Sequence, residues 1–431
     1  MIAVVGAGIA GLAASRALIH AGHDVALYEA APRPGGHVST VEVDGHAIDL
    51  GFIVCNRERY PSLFRMFGEL GVATRPTTMS FSVSLPGDGG PPFEWGSERL
   101  SAAFADRRRV FDRRHWRFLA EVLGFVRRAR RELGDPARHA RWRGASLDDY
   151  LARTGASQAL RDGFVIPLAA ALWSLAPDHC GTFPAETYLG FLDQHGMLRP
   201  IRPLAWRTVV GGSRRYVDAL LAELQGSGRF SLALATPVTR VVRDARGVTV
   251  IAAGRERRYD RIVIATHADT ALRLLDAPST SERDVLGAFR YSENRTVLHT
   301  DRRFLPHSPA AHAAWNYIGD PDTSAVAVTY SMTRLQGLPD APYLVTLNPR
   351  SRPDHVLHEA VFHHPQFDRA ALAAQPRLAS LGNPARTYYA GAYARFGFHE
   401  DGLRAGITAA ARLVEDLKRP GGRPSVQRGV R

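Results

Sequence analysis

Lysine is nearly absent from this sequence of 431 residues. Of its 55 lysine and arginine side chains only Lys418 is a lysine, and the formal net charge is +13. Strong positive charge is typical of nucleic-acid-binding proteins, but no basic segment here is interleaved with aromatic residues as such interfaces are. We therefore predict no nucleic-acid partner and attribute the charge to an arginine-rich composition.

Cysteines and long apolar stretches are also scarce. Cys55 and Cys180 are the two cysteines, too few for a disulfide framework or a thiolate metal site, so we predict that both pack as small apolar residues. No apolar stretch reaches the ~18 residues that span a bilayer; the longest candidate, residues 165–176, includes Pro167. No charged leader precedes the apolar N-terminus, so we expect no signal peptide and a cytoplasmic protein.

Glycines are concentrated where the chain begins. A short apolar strand runs into Gly6-Ala7-Gly8-Ile9-Ala10-Gly11 and then into an apolar helical stretch. In this pattern Gly6 permits a tight turn, Gly8 lets the backbone approach a pyrophosphate, and Gly11 lets helix and strand pack closely. Glu29 follows the next strand, where a carboxylate accepts hydrogen bonds from both ribose hydroxyls of an adenosine and disfavours NADP. The segment predicts a dinucleotide site.

A second glycine motif, Arg33-Pro34-Gly35-Gly36, lies just beyond Glu29. With both motifs the chain resembles the flavoprotein superfamily of amine oxidases, protoporphyrinogen oxidases and phytoene desaturases. The resemblance implies FAD as the cofactor, with this motif beside its flavin-side half. The family usually has arginine after the glycine pair, whereas this chain has His37. A predicted hairpin over residues 41–49 then directs Asp49-Leu50-Gly51-Phe52 toward the same site.

Later segments resemble the same family. The resemblance places the backbone of Val238 against adenine and Ala265-Thr266 next to the cofactor. Near the C-terminus, Gly391-Ala392 and residues 397–406 match a second flavin segment, in which a helix N-terminus faces the flavin ring. Ala392 replaces an aspartate common in the family, and Asp401 is the candidate that compensates for it. The predicted FAD contacts are Gly6, Gly8, Ile9, Ala10, Gly11, Glu29, Ala30, Arg33, Gly35, Gly36, His37, Val238, Ala265, Thr266, Gly391, Ala392, Asp401, Gly402 and Leu403.

Within the superfamily, the sequence resembles a bacterial branch described as predicted NAD/FAD-binding proteins. Residues 49–54, 289–291 and 397–403 carry that resemblance. The branch is similar to a domain that is fused to some cyclopropane fatty acid synthases. Its chemistry is not implied by the resemblance.

The length and the order of the motifs indicate two domains, because 431 residues exceed what one hydrophobic core organises. We predict an α/β fold with a discontinuous Rossmann-like FAD-binding domain and a mixed α+β substrate domain built from two insertions. The predicted boundaries are residues 1–75, 205–280 and 381–417 for the FAD-binding domain, residues 76–204 and 281–380 for the substrate domain, and residues 418–431 for a disordered basic tail. The second insertion carries antiparallel strand signals at residues 296–300, 314–318, 325–330 and 343–347, and four of its side chains could face a ligand: Trp315, Asn316, Tyr330 and Asn348.

The first insertion is strongly cationic, with thirteen arginines in residues 107–143. Trp116, Leu119, Leu123 and Val126 recur at helical spacing, so one face is apolar and the other cationic. Such a helix suits an anionic membrane surface or an anionic substrate. It is also what an ordinary packed helix looks like in an arginine-rich protein. Peripheral contact at the inner face of the membrane is thus a hypothesis beside ordinary packing.

The preferred function is an FAD-dependent oxidoreductase that removes hydride from a substrate C–H bond. Family analogy favours an apolar, lipid- or polyene-like substrate over a small amine. Many flavin amine oxidases that resemble this fold use a lysine that holds a water at flavin N5, and because Lys418 lies far from the segments that build the site, we do not expect an efficient amine oxidase of that design. His399 and Glu400 are expected beside the flavin ring, His399 as an acid or base. The alternatives are a redox-neutral flavin isomerase, an amine oxidase, and a lipid-binding protein of the Rab GDP-dissociation inhibitor type.

Overall fold

The computed structural model describes residues 1–87, 90–173, 180–199, 204–319, 327–338, 341–381 and 386–418. Its strands are β1 (Ile2–Val5), β2 (Val25–Tyr28), β3 (Thr40–Val43), β4 (His46–Asp49), β5 (Cys55–Asn56), β6 (Thr74–Pro76), β7 (Phe81–Leu85), β8 (Phe93–Gly96), β9 (Trp206–Val209), β10 (Phe230–Ala233), β11 (Val238–Asp244), β12 (Gly247–Ala252), β13 (Arg255–Tyr259), β14 (Arg261–Ile264), β15 (Arg290–His299), β16 (Trp315–Ile318), β17 (Val328–Ser331), β18 (Leu344–Leu347), β19 (Val356–Gln366) and β20 (Thr387–Tyr389). Its helices are α1 (Ile9–His20), α2 (Pro61–Glu69), α3 (Leu100–Ala103), α4 (Arg113–Leu133), α5 (Pro136–Ala140), α6 (Leu147–Arg153), α7 (Gln158–Leu160), α8 (Ile166–Trp173), α9 (Ala185–Gln194), α10 (Arg214–Gly226), α11 (Ala268–Leu274), α12 (Thr280–Leu286), α13 (Met332–Leu335), α14 (Arg369–Ala374) and α15 (His399–Lys418).

In a five-stranded parallel sheet, the glycine fingerprint follows the carboxyl end of the central strand β1. Its order is β10-β2-β1-β14-β20. The central strands β1 and β2 are buried along their whole length, as expected for parallel strands covered on both faces. Helices α1, α10 and α15 contribute to one hydrophobic core with these strands, and β11–β13 form a separate antiparallel sheet.

A mixed seven-stranded sheet unites the two predicted insertions. Its order is β19-β15-β18-β17-β16-β7-β8, so strands from the first insertion (β7, β8) pair with strands from the second. The pair β16–β7 is parallel and the others are antiparallel. Together with the parallel sheet, this architecture confirms the predicted fold class.

The antiparallel signals in the second insertion predicted β15–β18 but missed β19. This strand has eleven residues and pairs with β15 along most of its length. It lies at the edge of the sheet, where most of its side chains are exposed or half-buried. An exposed edge strand tolerates the histidines and the glutamate that hid it from an analysis of apolar periodicity.

Helix α4 buries a different face from the predicted one. Its buried side chains include Phe118, Phe125 and Val126, which belong to a core shared with the seven-stranded sheet. Trp116 and Leu123, predicted to lie with Val126 on one apolar face, are exposed. Both sets of residues have helical spacing, and packing against the sheet selects between them. No helix among the described residues is long and apolar enough to cross a bilayer.

The predicted disordered tail, residues 418–431, lies outside the described residues except for its first residue. Lys418 ends helix α15 and is exposed. It is not one of the residues that line the main cavity of the described chain. The only lysine of the sequence is therefore remote from the candidate site.

Candidate active site

Two fingerprint glycines hold β1, α1 and β14 at distances that no side chain would allow. Gly6 has φ +99°, and a Cβ built on it would lie 2.8 Å from the carbonyl oxygen of Ala265. A Cβ on Gly11 would overlap the carbonyl oxygen of Gly6 and lie 3.3 Å from the Cβ of Ala265. Only glycine fits the left-handed turn and the close approach. The packing roles that the sequence predicts for these two residues match the geometry.

Gly8 is open where the other two are crowded. It precedes α1, and a Cβ built on it would meet no described atom within 4 Å. The backbone of Gly36 packs against Gly8, since a Cβ built on Gly36 would lie 3.1 Å from the Cα of Gly8. Among the described residues no side chain caps the start of α1, so its first amide groups remain available. Bare amides at a helix N-terminus attract an anionic group such as a pyrophosphate.

The Glu29 carboxylate is fixed at the end of β2. Oε2 accepts a hydrogen bond from the backbone N–H of Ala7 (2.7 Å), and Oε1 accepts one from the N–H of Ala31 (2.8 Å). Glu29 also lines the cavity described below. Each carboxylate oxygen can accept more than one hydrogen bond. The residue is therefore held in place while it can still accept from ribose hydroxyls.

A cavity of about 550 Å³ extends from the fingerprint into the region under the seven-stranded sheet. Most of the predicted FAD contacts lie in its wall. They are Gly6, Gly8, Ile9, Ala10, Glu29, Ala30, Gly35, Gly36, His37, Val238, Ala265, Thr266, Gly391, Ala392 and Gly402. Residues from the start of the chain, its middle and its C-terminal helix thus meet around one space. The open Gly8, the uncapped helix and the anchored carboxylate fit the ADP half of FAD.

Three predicted contacts lie outside the cavity wall for clear structural reasons. Gly11 packs α1 against the turn at Gly6, as described above. The Arg33 guanidinium donates to the carbonyl oxygen of Val38 (2.8 Å) and so shapes the glycine loop. Leu403 is buried in the core between α15 and the parallel sheet. All three support the site from behind and do not form its surface.

Asp401 also lies outside the wall and therefore does not take the place of an aspartate at Ala392. Its Oδ2 accepts hydrogen bonds from the backbone N–H groups of Phe396 (3.2 Å) and Phe398 (3.1 Å). Burial raises its pKa to about 6, although these backbone bonds oppose the shift. The residue fixes the loop that leads into α15.

The structure gives Glu400 a place that differs from the predicted one. Its carboxylate accepts from the backbone N–H groups of Ser62 and Leu63, both at 3.0 Å. These groups lie in the first turn of α2, whose free amides need an acceptor. Glu400 is buried and does not line the cavity. It ties α15 to α2 and is not a candidate for catalysis.

His399 does line the cavity. Its Nε2 lies 2.5 Å from the Tyr216 hydroxyl oxygen, and its ring stacks on Phe52 with centroids 3.9 Å apart. Burial lowers the pKa of His399 to about 3. The imidazole is therefore neutral at physiological pH and is held by both its edge and its face.

Aromatic rings form the wall of the cavity beyond the fingerprint. They are Trp173, Phe191, Trp315, Tyr330, Phe362, Phe367, Phe396 and Phe398. Phe191 stacks on Phe398 (4.7 Å between centroids), and Trp315 meets Tyr330 edge to face at 5.1 Å. Of the described residues in the wall, Glu29 alone has a carboxylate, guanidinium or ammonium group. The aromatic part thus offers no fixed charge to a ligand.

Of the four side chains predicted to face a ligand from the second insertion, two line the cavity. Trp315 and Tyr330 are in the wall, whereas Asn316 and Asn348 are not. Asn316 is buried within the sheet, where its side-chain amide donates to the carbonyls of Ala313 and Thr329. Trp315 and Tyr330 lie opposite each other on the paired strands β16 and β17, and the two asparagines serve hydrogen bonds within the sheet.

Four histidines add polar groups without charge. His37, His195, His267 and His364 line the cavity, and burial lowers the pKa of each, to about 3 for His37 and about 4 for His195 and His364. The rings of His37 and His364 lie 5.7 Å apart. The sequence analysis anticipated His37 alone. The others come from segments that carry no motif.

Comparison with known proteins identifies the family. A family model described as flavin containing amine oxidoreductase matches residues 9–362, which is most of the chain. The chain belongs to the flavin-containing amine oxidoreductase family. The predicted enzyme class and the FAD cofactor are thereby confirmed.

Relatives within the flavin-containing amine oxidoreductase family include oxidases and desaturases by name. AofH of Mycobacterium tuberculosis, named as a flavin-containing monoamine oxidase, is 28% identical over 280 residues. That match covers 61% of this chain and 56% of AofH, so the chain spans little more than half of the relative's length. A zeta-carotene-forming phytoene desaturase of Myxococcus xanthus is 46% identical over 68 residues, 16% of this chain and 13% of the desaturase.

Solved structures share the fold over almost the whole chain. Cyclohexylamine oxidase from Brevibacterium oxydans has a TM-score of 0.69 at 19% identity and covers 97% of this chain and 99% of its own. A CLA-producing fatty acid isomerase from P. acnes has a TM-score of 0.67 at 18% identity, with 95% and 98% covered. At such low identity the likeness shows the fold of the flavin-containing amine oxidoreductase family and not the substrate.

Proposed function

We propose that this enzyme is an FAD-dependent oxidoreductase that removes hydride from a C–H bond of an apolar, lipid- or polyene-like substrate. The observation that carries the proposal is the aromatic wall of the cavity, in which the described residues provide no fixed charge beyond Glu29. An ammonium or carboxylate would lose its hydration there without gaining a charged partner, which is costly. An apolar chain loses nothing and gains contact with the rings.

The residues proposed to hold FAD follow from the cavity wall. Glu29 would accept from the ribose, the amides after Gly8 would face the pyrophosphate, and the backbone of Val238 would meet the adenine. The N-terminal end of α15 at Gly402 would face the flavin. When bound, the cofactor supplies the hydride acceptor. The protein contributes position, exclusion of water and hydrogen bonds.

Anaerobic bleaching of the flavin tests the proposed function. We expect the yellow colour of the purified enzyme to fade with carotenoid precursors or with methyl esters of unsaturated fatty acids, which carry no charge, and to persist with cyclohexylamine or putrescine. A redox-neutral isomerase would convert an unsaturated substrate without leaving the flavin bleached, so product analysis in the same samples separates the two alternatives. Rapid peroxide formation with the amines would overturn the proposal in favour of an amine oxidase.

His399 is the proposed acid or base of the reaction. We expect His399→Ala to retain FAD but to slow flavin reduction by a bleaching substrate at least tenfold, because general acid–base catalysis contributes roughly 10²–10⁴-fold. With its pKa lowered to about 3, His399 stays neutral between pH 5 and 9. Its ionisation therefore does not change the rate of flavin reduction with pH in that range. An unchanged reduction rate in a variant with full FAD content would leave the ring a purely structural role.

We also propose that the enzyme contacts an anionic membrane surface from which it takes its substrate. The supporting observation is an exposed apolar patch in the first insertion, formed by Val110, Phe111 and Trp116. Phe111 is 91% exposed and Trp116 is 50% exposed. The Trp116 indole N–H donates to the carbonyl of Val110 (2.8 Å), which joins the start of α4 to the preceding turn.

Exposed arginines lie close in sequence to this apolar patch, called the Phe111 patch below. Exposed guanidinium groups flank it in sequence on both sides, at Arg107, Arg108, Arg113, Arg114 and Arg117. Aromatic side chains that insert at the headgroup level and cations that meet lipid phosphates are the two components of interfacial binding. Each arginine near the surface contributes ~1 kcal/mol toward an anionic leaflet. The patch therefore replaces the predicted face of Trp116, Leu119, Leu123 and Val126 as the contact surface.

Co-sedimentation with liposomes tests the membrane contact. We expect binding to phosphatidylglycerol vesicles that weakens at high salt, because salt screens exposed charges, and little binding to phosphatidylcholine vesicles. Phe111→Ser combined with Trp116→Ser should weaken binding at least tenfold. Val361→Ser, which alters an exposed apolar residue of β19, is the matched control and should bind like the wild type. Equal, negligible binding to both vesicle types would contradict the membrane contact.

A further inference from the structure

The His399 imidazole is held by two aromatic side chains from other segments of the chain. Its Nε2 lies 2.5 Å from the hydroxyl oxygen of Tyr216 in α10, and Phe52 covers one face of the ring at 3.9 Å between centroids. The Tyr216 ring meets both others edge to face, His399 at 5.7 Å and Phe52 at 6.3 Å. Tyr216 is fully buried and does not line the cavity. It therefore reaches a bound ligand only through a neighbour, and its hydrogen-bonded neighbour is His399.

The burial of Tyr216 decides the direction of this hydrogen bond. Either the phenol O–H donates to Nε2 of His399, or an Nε2–H donates to the phenol oxygen. In the second case the O–H of a side chain that is 0% exposed would need another acceptor, and the described residues provide none for it. A buried donor without an acceptor is costly. Tyr216 is therefore the donor, and Nε2 of His399 is the acceptor.

Both partners are neutral at physiological pH. Burial lowers the pKa of His399 to about 3 and raises the pKa of Tyr216. A neutral imidazole has one N–H and one acceptor nitrogen. Since Nε2 is the acceptor, the proton of His399 is on Nδ1. In the described part of the chain the bond to Tyr216 is the one hydrogen bond of this ring, so the Nδ1–H is the polar group that the ring still offers to a ligand.

We propose that Tyr216 is a positioning residue, which holds His399 as its Nδ1–H tautomer and so makes it a hydrogen-bond donor to an acceptor atom of the bound cofactor or substrate. The inference rests on the proposed function, in which His399 is an acid or a base, and it selects the donor role over that of a base. A base needs a free lone pair, and the Nε2 lone pair is engaged by Tyr216. A donor placed at an atom that gains electron density during hydride transfer stabilises the developing charge.

The tautomer is measurable without any substrate. In FAD-loaded enzyme with ¹⁵N-labelled histidine, long-range ¹H–¹⁵N correlation spectra should show His399 protonated at Nδ1, the signals being assigned by their loss in His399→Gln. Tyr216→Phe, which removes only the hydroxyl, should move the Nε2 signal downfield, because this nitrogen then accepts no hydrogen bond. Tyr343→Phe is the matched control, since it removes a hydroxyl that donates to Asp44 (2.9 Å), and it should leave both signals unchanged. An Nε2-protonated His399 in the wild type would overturn the proposal.

The Nδ1–H proton signal of the same enzyme identifies the acceptor. Reduction of the flavin with dithionite adds charge to the cofactor, so a downfield shift on reduction would place the acceptor on the cofactor. A downfield shift on addition of 2-octanone, an uncharged ketone, would place it on the substrate. Either shift supports the donor role of His399, and a signal that is unchanged by both treatments would overturn it.

Flavin reduction by a bleaching substrate tests whether Tyr216 acts through His399. Tyr216→Phe with full FAD content should slow the reduction roughly three- to tenfold, the range for one neutral hydrogen bond. In the His399→Ala background the same change should have no further effect, because the group that Tyr216 positions is gone. Equal slowing in both backgrounds would refute the positioning role. Failure of apolar compounds to bleach the flavin would instead refute the proposed function, and the tautomer of His399, measured without substrate, would be unaffected by it.

Discussion

We expect the Glu29→Arg protein to purify without the yellow colour of bound flavin. The native carboxylate is held by the N–H groups of Ala7 and Ala31 and lines the cavity, so the substitution removes the acceptor for the ribose hydroxyls. Hydrogen bonds to a charged group are each worth about 1.5–3 kcal/mol. Losing two of them weakens binding by about 3–6 kcal/mol, roughly 10²–10⁴-fold in Kd. Two backbone N–H groups also lose their partner.

FAD content and affinity are measured from the absorbance ratio of the purified protein and by fluorescence titration of the apoprotein. Glu256→Arg is the matched control, since it makes the same change of charge at an exposed position of β13 and should bind FAD like the wild type. Circular dichroism verifies that both variants are folded. Full FAD content in Glu29→Arg would mean that the ADP half of the cofactor lies elsewhere.

The fingerprint was predictable because its constraints are local. The turn at Gly6, the contact between Gly11 and the Gly6 carbonyl, and the position of Glu29 all follow from a strand, a turn and a helix that are adjacent in sequence. Their geometry depends on backbone sterics that any chain with this pattern must obey. The same holds for the hairpin of β3 and β4, which forms around Asp44-Gly45 as predicted.

The aromatic wall was not predictable in the same way. Trp173, Phe191, Phe362 and Phe398 come from four segments, and no spacing in the sequence connects them. Trp173 lies in an apolar stretch, whereas Phe362 and Phe398 lie among histidines and charged residues, so the sequence does not indicate which space any of these rings borders. Tertiary packing of the seven-stranded sheet against the C-terminal loop decides that they share one cavity.

The sequence predicted both His399 and Glu400 beside the flavin, but only His399 lines the cavity. His399 and Glu400 are adjacent, but successive residues at the start of a helix point about 100° apart. His399 faces the cavity, while Glu400 turns toward the free amides of α2. The sequence around Glu400 does not show that the amides of α2 need an acceptor, because α2 lies more than three hundred residues earlier.

Replacing Gly406 with alanine should force α15 away from the fingerprint helix α1. A Cβ on Gly406 of α15 would overlap the carbonyl oxygen of Ala10 and lie 2.9 Å from its carbonyl carbon and 3.1 Å from the nitrogen of Ala14. All three atoms are backbone of α1, so no flexible side chain can move aside. The two helices must separate, at a cost of about 1–3 kcal/mol typical of overpacking.

The separation also reaches the cofactor site, since α1 begins directly after Gly8 and its first turn borders the cavity. We therefore expect Gly406→Ala to lower Tm by roughly 1–3 °C and to weaken FAD binding as well. Gly124→Ala is the matched control: it lies in α4, and its added Cβ would meet no described atom within 4 Å. There alanine should stabilise by about 0.5–1 kcal/mol, because it restricts the unfolded chain and favours the helix. Thermal unfolding at saturating FAD measures both variants, and a Gly406→Ala protein as stable as Gly124→Ala would show that α1 and α15 do not pack at the distance described.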